Sequence, residues 1–168
     1  MAAHQTYKRT GLAARVEAPK KRVRAGFQIA ALVYRWRADQ LEVLLVTSRE
    51  TRRWILPKGW PVPGKSAPAT AEQEADEEAG IFGHAVKKPI GRYAAIKRIG
   101  ETSLPCEVEV YPLHFVKQKL KWKERGERAC HWLLAEEAAA KVAELELAAI
   151  IRSFADEMHR QIKVPRSA

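Results

Sequence analysis

Gly59-Trp60-Pro61-Val62-Pro63-Gly64-Lys65-Ser66-Ala67-Pro68-Ala69-Thr70-Ala71-Glu72-Gln73-Glu74-Ala75-Asp76-Glu77-Glu78-Ala79-Gly80-Ile81 is the stretch on which the reading of this chain turns. From Pro57 to Gly64, three prolines and two glycines forbid both a helix and a regular ladder, so this part is a shaped loop. The remainder carries the punctuation of a helix over 66–79. Ser66 is suited to cap its start, Pro68 is tolerated in the first turn, and Gly80 ends it. On that helix Glu74, Glu77 and Glu78 fall at i, i+3 and i+4, which places three carboxylates on one face. Ala71, Ala75 and Ala79 form a neighbouring stripe small enough for close packing against a sheet, while Glu72 and Asp76 are expected to face water.

Like charges on one helical face repel by roughly 0.2–0.5 kcal/mol per pair. A helix that needed only solubility would interleave lysines. Oxygen ligands at this spacing suit a hard divalent cation, Mg²⁺ or Mn²⁺, which keeps several waters. The blander alternative is an acidic surface helix, and the helix alone does not decide against it.

The preceding loop does. Taken together, loop and helix resemble the signature of the Nudix hydrolases: Gly, five residues, Glu, seven residues, then Arg-Glu-apolar-x-Glu-Glu-x-Gly-apolar. Gly59, Glu74, Ala75, Glu77, Glu78, Gly80 and Ile81 match in register. Lys65 stands where the first Glu belongs and Gln73 where the Arg belongs. Trp54-Ile55-Leu56-Pro57-Lys58-Gly59-Trp60-Pro61, and later Val110-Tyr111-Pro112-Leu113-His114-Phe115-Val116 with Trp122-Lys123-Glu124 and Trp132, are similar to the diphosphoinositol polyphosphate phosphohydrolase branch and its bacterial relatives.

Outward from the box, residues 27–34 and 41–46 are short apolar runs joined by the polar Arg37-Ala38-Asp39-Gln40, which reads as an antiparallel pair near the middle of a sheet. Residues 54–56 lead into the loop as a third strand. Two more strands are expected at 93–99 and 107–116, and helices at 135–143 and 145–160. The last has Leu145, Ala148, Ala149, Ile151, Arg152 and Ala155 at helical spacing. The expected class is α+β, and the resemblance implies a Nudix-type α/β/α sandwich with a mixed sheet. The expected organisation is a basic N-terminal arm over 1–24, a hydrolase domain over 25–162 and a short tail over 163–168.

The formal charge of +10 favours polyanionic partners. More than half of the excess lies in the arm, where Lys8, Arg9, Arg15, Lys20, Lys21, Arg22 and Arg24 face Glu17 alone. RNA is therefore a candidate partner of the arm, against the plainer reading of a solvated tail. No apolar run approaches the roughly 20 residues of a bilayer span, and no secretory h-region opens the chain, so no membrane contact is expected. Cys106 and Cys130 make no disulfide framework, which fits a reducing cytoplasm. The amphipathic C-terminal helices could cap the domain or pair two copies into a homodimer.

The resemblance implies a metal-dependent hydrolase that cleaves a phosphoanhydride in a polyphosphorylated small molecule, either a diphosphoinositol polyphosphate or a dinucleoside polyphosphate. Glu74, Glu77, Glu78 and the Gly59 backbone are the expected metal ligands. Glu77, Glu78 and a later-loop base, Glu124 before Glu127, are the expected catalytic groups. Arg49, Arg53, Lys58, Lys97 and Arg98 are expected to receive phosphate oxygens, with Arg52, Lys121 and Lys123 nearby. Trp54, Trp60, Trp122 and Trp132 read as packing residues, and His84, His114 and His131 as structural. Lys65 and Gln73 motivate a second reading, a Nudix-fold binding module for a phosphorylated ligand or RNA that has lost efficient catalysis. On the first reading, restoring Arg at position 73 is expected to improve metal affinity or turnover.

Overall fold

The computed structural model describes residues 26–163, so the arm expected over 1–24 lies outside the described residues. β1 (Gly26–Arg37) and β2 (Gln40–Thr47) pair antiparallel across a two-residue turn. Ala38 and Asp39 both take positive φ there, 45° and 62°, the geometry that matches strand twist in a tight hairpin. The other edge of β1 runs parallel to β7 (Thr102–Gln118), from Gly26 opposite Cys106 to Tyr34 opposite His114. β7 in turn pairs antiparallel with β6 (Gly91–Ile99) along its first half and with β5 (Ile81–Ala85) along its second. β3 (Trp54–Ile55) and β8 (Cys130–Leu134) pair with β2, and β4 (Lys58–Gly59) with β1, completing a mixed sheet.

Strand alternation explains why β1 reads as a continuous apolar run. Ile29, Ala31 and Val33 pack with Ala71, Ala75 and Ala79 of α1 (Ala67–Ala79). Ala30, Leu32 and Tyr34 face the opposite way, into a core shared with α2 (Ala135–Lys141) and α3 (Leu145–Lys163). Period-2 side chains buried on both faces require helices on both faces, which gives the expected α/β/α sandwich. Among the described residues, no helix is long and apolar enough to cross a membrane.

Two expectations about the helical layer need correction. Leu145 is 87% exposed, whereas Leu147, Ala148, Ile151 and Ala155 are buried. At about 100° per residue, Leu145 lies some 200° from Leu147 and so on the far side of the helix. The helix expected to reach residue 143 stops at Lys141, because Val142 is already extended (φ −74°, ψ 147°).

Candidate functional site

The box helix is punctuated as its residues dictate. Ser66 Oγ accepts from the Ala69 N–H at 3.3 Å, and Gly80 closes the helix in the left-handed region at φ 67°. A Cβ on Gly80 would also stand 2.5 Å from the Trp122 ring, so glycine is needed there for space as well as for conformation. At the other end of the motif, a Cβ on Gly59 would fall 2.2 Å from Glu74 Oε1. The Glu74 carboxylate therefore lies directly against the Gly59 backbone.

The three carboxylates occupy different environments. Glu78 is buried, and desolvation pushes its pKa up to about 8, opposed by Arg128 and reinforced by Glu74 and Glu124. Its Oε1 accepts from Arg128 Nη2 at 2.7 Å, while its buried Oε2 has no partner. Glu74 is also raised, first by burial and then by Glu77 and Glu124. Glu77 is lowered instead, chiefly because Lys123 Nζ donates to its Oε2 at 2.5 Å, with Gln73 Nε2 donating to Oε1 at 2.9 Å. As they lie, no three His, Cys, Asp or Glu side chains among the described residues converge closely enough to hold a metal ion. The donor set nevertheless fits a divalent cation. Two raised carboxylates, one with an orphaned buried oxygen, press on each other beside a bare glycine backbone, and a cation would relieve that repulsion.

The two departures from the box touch each other. Lys65 Nζ donates to Gln73 Oε1 at 2.7 Å, and Gln73 passes on to Glu77. Glu72 and Asp76 are not simply solvated, contrary to expectation. Glu72 Oε1 accepts the Ala85 N–H at 2.9 Å, anchoring β5, and Asp76 pairs with Lys119 at 2.6 Å.

Loop 119–128 lies along this helix. Its Glu124 N–H donates to the Glu77 carbonyl at 3.0 Å, and its Lys119 N–H to the Gly80 carbonyl at 2.8 Å. Glu124 Oε2 accepts from Arg128 Nε at 2.5 Å, and its Oε1 lies 3.7 Å from Arg49. Glu127 is more exposed and 3.6 Å from Arg49. Arg128 joins the site as well, and its sequence surroundings mark it only weakly: one partner lies 4 positions away, but the others lie 50 and 81 positions away in the chain.

Arg49, Arg53, Lys58, Lys97 and Arg98 all line one cleft of about 120 Å³, together with Glu78 and Arg128. Lys58 Nζ donates to Gln28 Oε1 at 2.8 Å, and burial, then Lys97, lowers its pKa. Arg52 turns away to the Glu127 carbonyl at 2.7 Å. Trp60 packs its ring over Gly26, where a Cβ would stand 2.7 Å from it, and stays 40% exposed with Lys97 Nζ 5.3 Å from its ring centre. Trp54 lies tilted against His131, and Trp132 meets Phe115 edge-on, as packing residues do. A second compartment of about 750 Å³ adjoins the first through Arg53, Ala95, Ile96 and Glu144, and adds Pro105 and Cys106.

A family model described as the NUDIX domain matches residues 26–158. Nudix hydrolase 12, mitochondrial, of Arabidopsis thaliana is 29% identical over 104 residues, covering 60% of this chain and 51% of that protein. Nudix hydrolase 18, mitochondrial, of the same plant is 29% identical over 102 residues, covering 60% and 56%. The chain thus spans about half the length of the curated relatives it matches. Among solved structures, a C. elegans Ap4A hydrolase superposes with a TM-score of 0.59 at 19% identity, over 80% of this chain and 98% of that one. The NUDIX domain of Shewanella oneidensis NrtR, complexed with ADP ribose, gives 0.55 at 15% identity over 77% and 86%. At those identities the two structures speak to the fold.

Proposed function

The chain belongs to the NUDIX domain family, and on that premise we propose that it is a divalent-metal-dependent hydrolase of phosphoanhydride bonds in a nucleoside-linked polyphosphate, of the dinucleoside polyphosphate type. One observation carries the reading: buried Glu78 shares a cleft with Arg49, Arg53, Lys58, Lys97 and Arg98. A polyphosphate chain needs many cationic donors beside a carboxylate site, and that is the composition of this cleft.

The second compartment favours a nucleoside over an inositol. Ala95, Ile96 and Pro105 give it an apolar lining, with Arg53 and Arg92 set against Glu144 and Glu107 at its polar margin. A flat base gains from the apolar wall, and the margin carries no excess of cations to receive a ring bearing phosphates on every side. The fold neighbour named as an Ap4A hydrolase leans the same way.

Glu74, Glu77, Glu78 and the Gly59 carbonyl would hold Mg²⁺ or Mn²⁺. When bound, the ion supplies neutralisation of phosphate charge and an activated water. The cleft cations orient the phosphates, Lys58 from a fixed position against Gln28. Glu124 is the proposed proton acceptor, held between Arg128 and Arg49 and tied through its N–H to the helix. Glu127, exposed at the rim, is the alternative. The two free cysteines suit a reducing compartment, and we place the chain in the cytoplasm.

The test is product release from diadenosine tetraphosphate, an inositol pyrophosphate and capped RNA, with Mg²⁺, Mn²⁺ or chelator. Turnover of the dinucleotide that needs metal and disappears in Glu78→Gln supports the reading. A second reading, a binding module, is favoured by one observation: Lys123 and Gln73 already take both Glu77 oxygens. Ligand binding without turnover under every metal would establish it instead.

A further inference from the structure

We propose that Arg128 is a positioning residue that fixes Glu78 and Glu124 as one unit, a task that no side chain of the box helix performs. Each of its nitrogens has a separate partner. Nη2 donates to Glu78 Oε1 at 2.7 Å, Nε to Glu124 Oε2 at 2.5 Å and Nη1 to the Thr47 carbonyl at 2.9 Å. Thr47 lies at the end of β2, so the guanidinium is pinned to the sheet while it grips the helix with one edge and the loop with another. The arrangement is dry: the side chains of Arg128, Glu78 and Glu124 are 7%, 5% and 12% exposed.

A planar, permanently charged fork can bridge two carboxylates and a carbonyl, and the single ammonium of lysine cannot reproduce that geometry. Buried ion pairs contribute little net stability compared with apolar replacements, so stability alone is a weak reason for this one. What the bridge does achieve is asymmetry. It holds one oxygen of each carboxylate and leaves the other available: Glu78 Oε2 has no partner, and Glu124 Oε1 has only Arg49 at 3.7 Å. Residue 73, where the box pattern has Arg, is an uncharged Gln turned to Lys65 and Glu77. Among the described residues, Arg128 is the one side chain that hydrogen-bonds the Glu78 carboxylate.

This inference rests on the metal-dependent reading above, and its experiment separates the two. Full-length wild type, Arg128→Lys and Arg128→Ala are compared for Mn²⁺ affinity by electron paramagnetic resonance and for kcat and KM on diadenosine tetraphosphate. Circular dichroism reports folding, and Arg128→Lys, which keeps the charge, serves if the alanine variant does not fold. Losing an outer-shell partner of this kind lowers metal affinity or turnover by roughly 10–100-fold. That loss is expected in Mn²⁺ affinity or kcat, with KM changed by less than about threefold. In a Glu124→Gln background, Arg128→Lys is expected to cost less kcat than it does in the wild type, because one of the two carboxylates it holds is gone.

A rise in KM at constant kcat would make Arg128 a substrate contact and overturn the inference. Lowered thermal stability with kcat and Mn²⁺ affinity unchanged would also overturn it, as would full additivity with Glu124→Gln. A wild type that binds no Mn²⁺ and hydrolyses nothing removes the proposed function together with this inference. An active wild type with unaffected variants removes this one alone.

Discussion

A methyl group on Gly59 would stand 2.2 Å from Glu74 Oε1, so Gly59→Ala must push the carboxylate out of its seat or bend β4. The expected result is a stability loss of roughly 1–3 kcal/mol with Mn²⁺ affinity falling alongside, read by chemical denaturation and metal titration. Glu78 makes a pH prediction. Burial raises its folded value above the ordinary 4.5 to about 8, so its protonated form is the one that suits the metal-free fold. Its contribution is fully present in acid below 4.5 and is lost as pH rises through about 8. Thermal unfolding in chelator should therefore show destabilisation between about pH 5 and about pH 9, and Glu78→Gln should flatten that slope. Added Mg²⁺ should raise Tm more at the alkaline end, since binding need not displace a proton there. At this scale the sequence was informative about the helix carboxylates, whose i, i+3, i+4 spacing is local. It was nearly silent about Arg128, whose partners meet only once β2, α1 and the loop have come together.

The box helix and loop 119–128 meet through three successive ion pairs: Lys119 with Asp76, Lys123 with Glu77 and Arg128 with Glu78. That context revises the expectation for position 73. Lys65 already donates to Gln73, so an arginine there would lose that contact and set a third cation, with Lys65 and Lys123, around the single carboxylate of Glu77. Gln73→Arg alone is expected to weaken Mn²⁺ binding by about two- to fivefold, and Lys65→Glu added to it to recover the loss, as exposed pairs allow. Mn²⁺ titration of the single and double variants checks both. In the β1–β2 hairpin, Ala38 holds φ 45° without glycine's freedom. Ala38→Asn with Asp39→Gly should stabilise by about 1 kcal/mol, which is about 2–4 °C in Tm. The long elements were legible because their periods run over many residues. β5 and β8 were not, being five residues each, with Gly83 and a register shift breaking the alternation in β5.

Across the whole molecule, the charge of +10 and the cations gathered at one cleft make a field that draws in polyphosphates before contact. On raising salt to about 0.5 M, kcat/KM for a dinucleoside polyphosphate is expected to fall on the order of tenfold, and Arg49→Ser should blunt that dependence. Steady-state rates across a salt series decide it. The parallel pairing of Gly26–Tyr34 with Cys106–His114 has a consequence of a different kind. As the chain leaves the ribosome, its long first strand, with a buried run from Gln28 to Tyr34, emerges some 80 residues ahead of the neighbour that will cover that edge. Such a topology closes late and folds slowly, and until β7 arrives the nascent first strand is sticky cargo for a holdase chaperone.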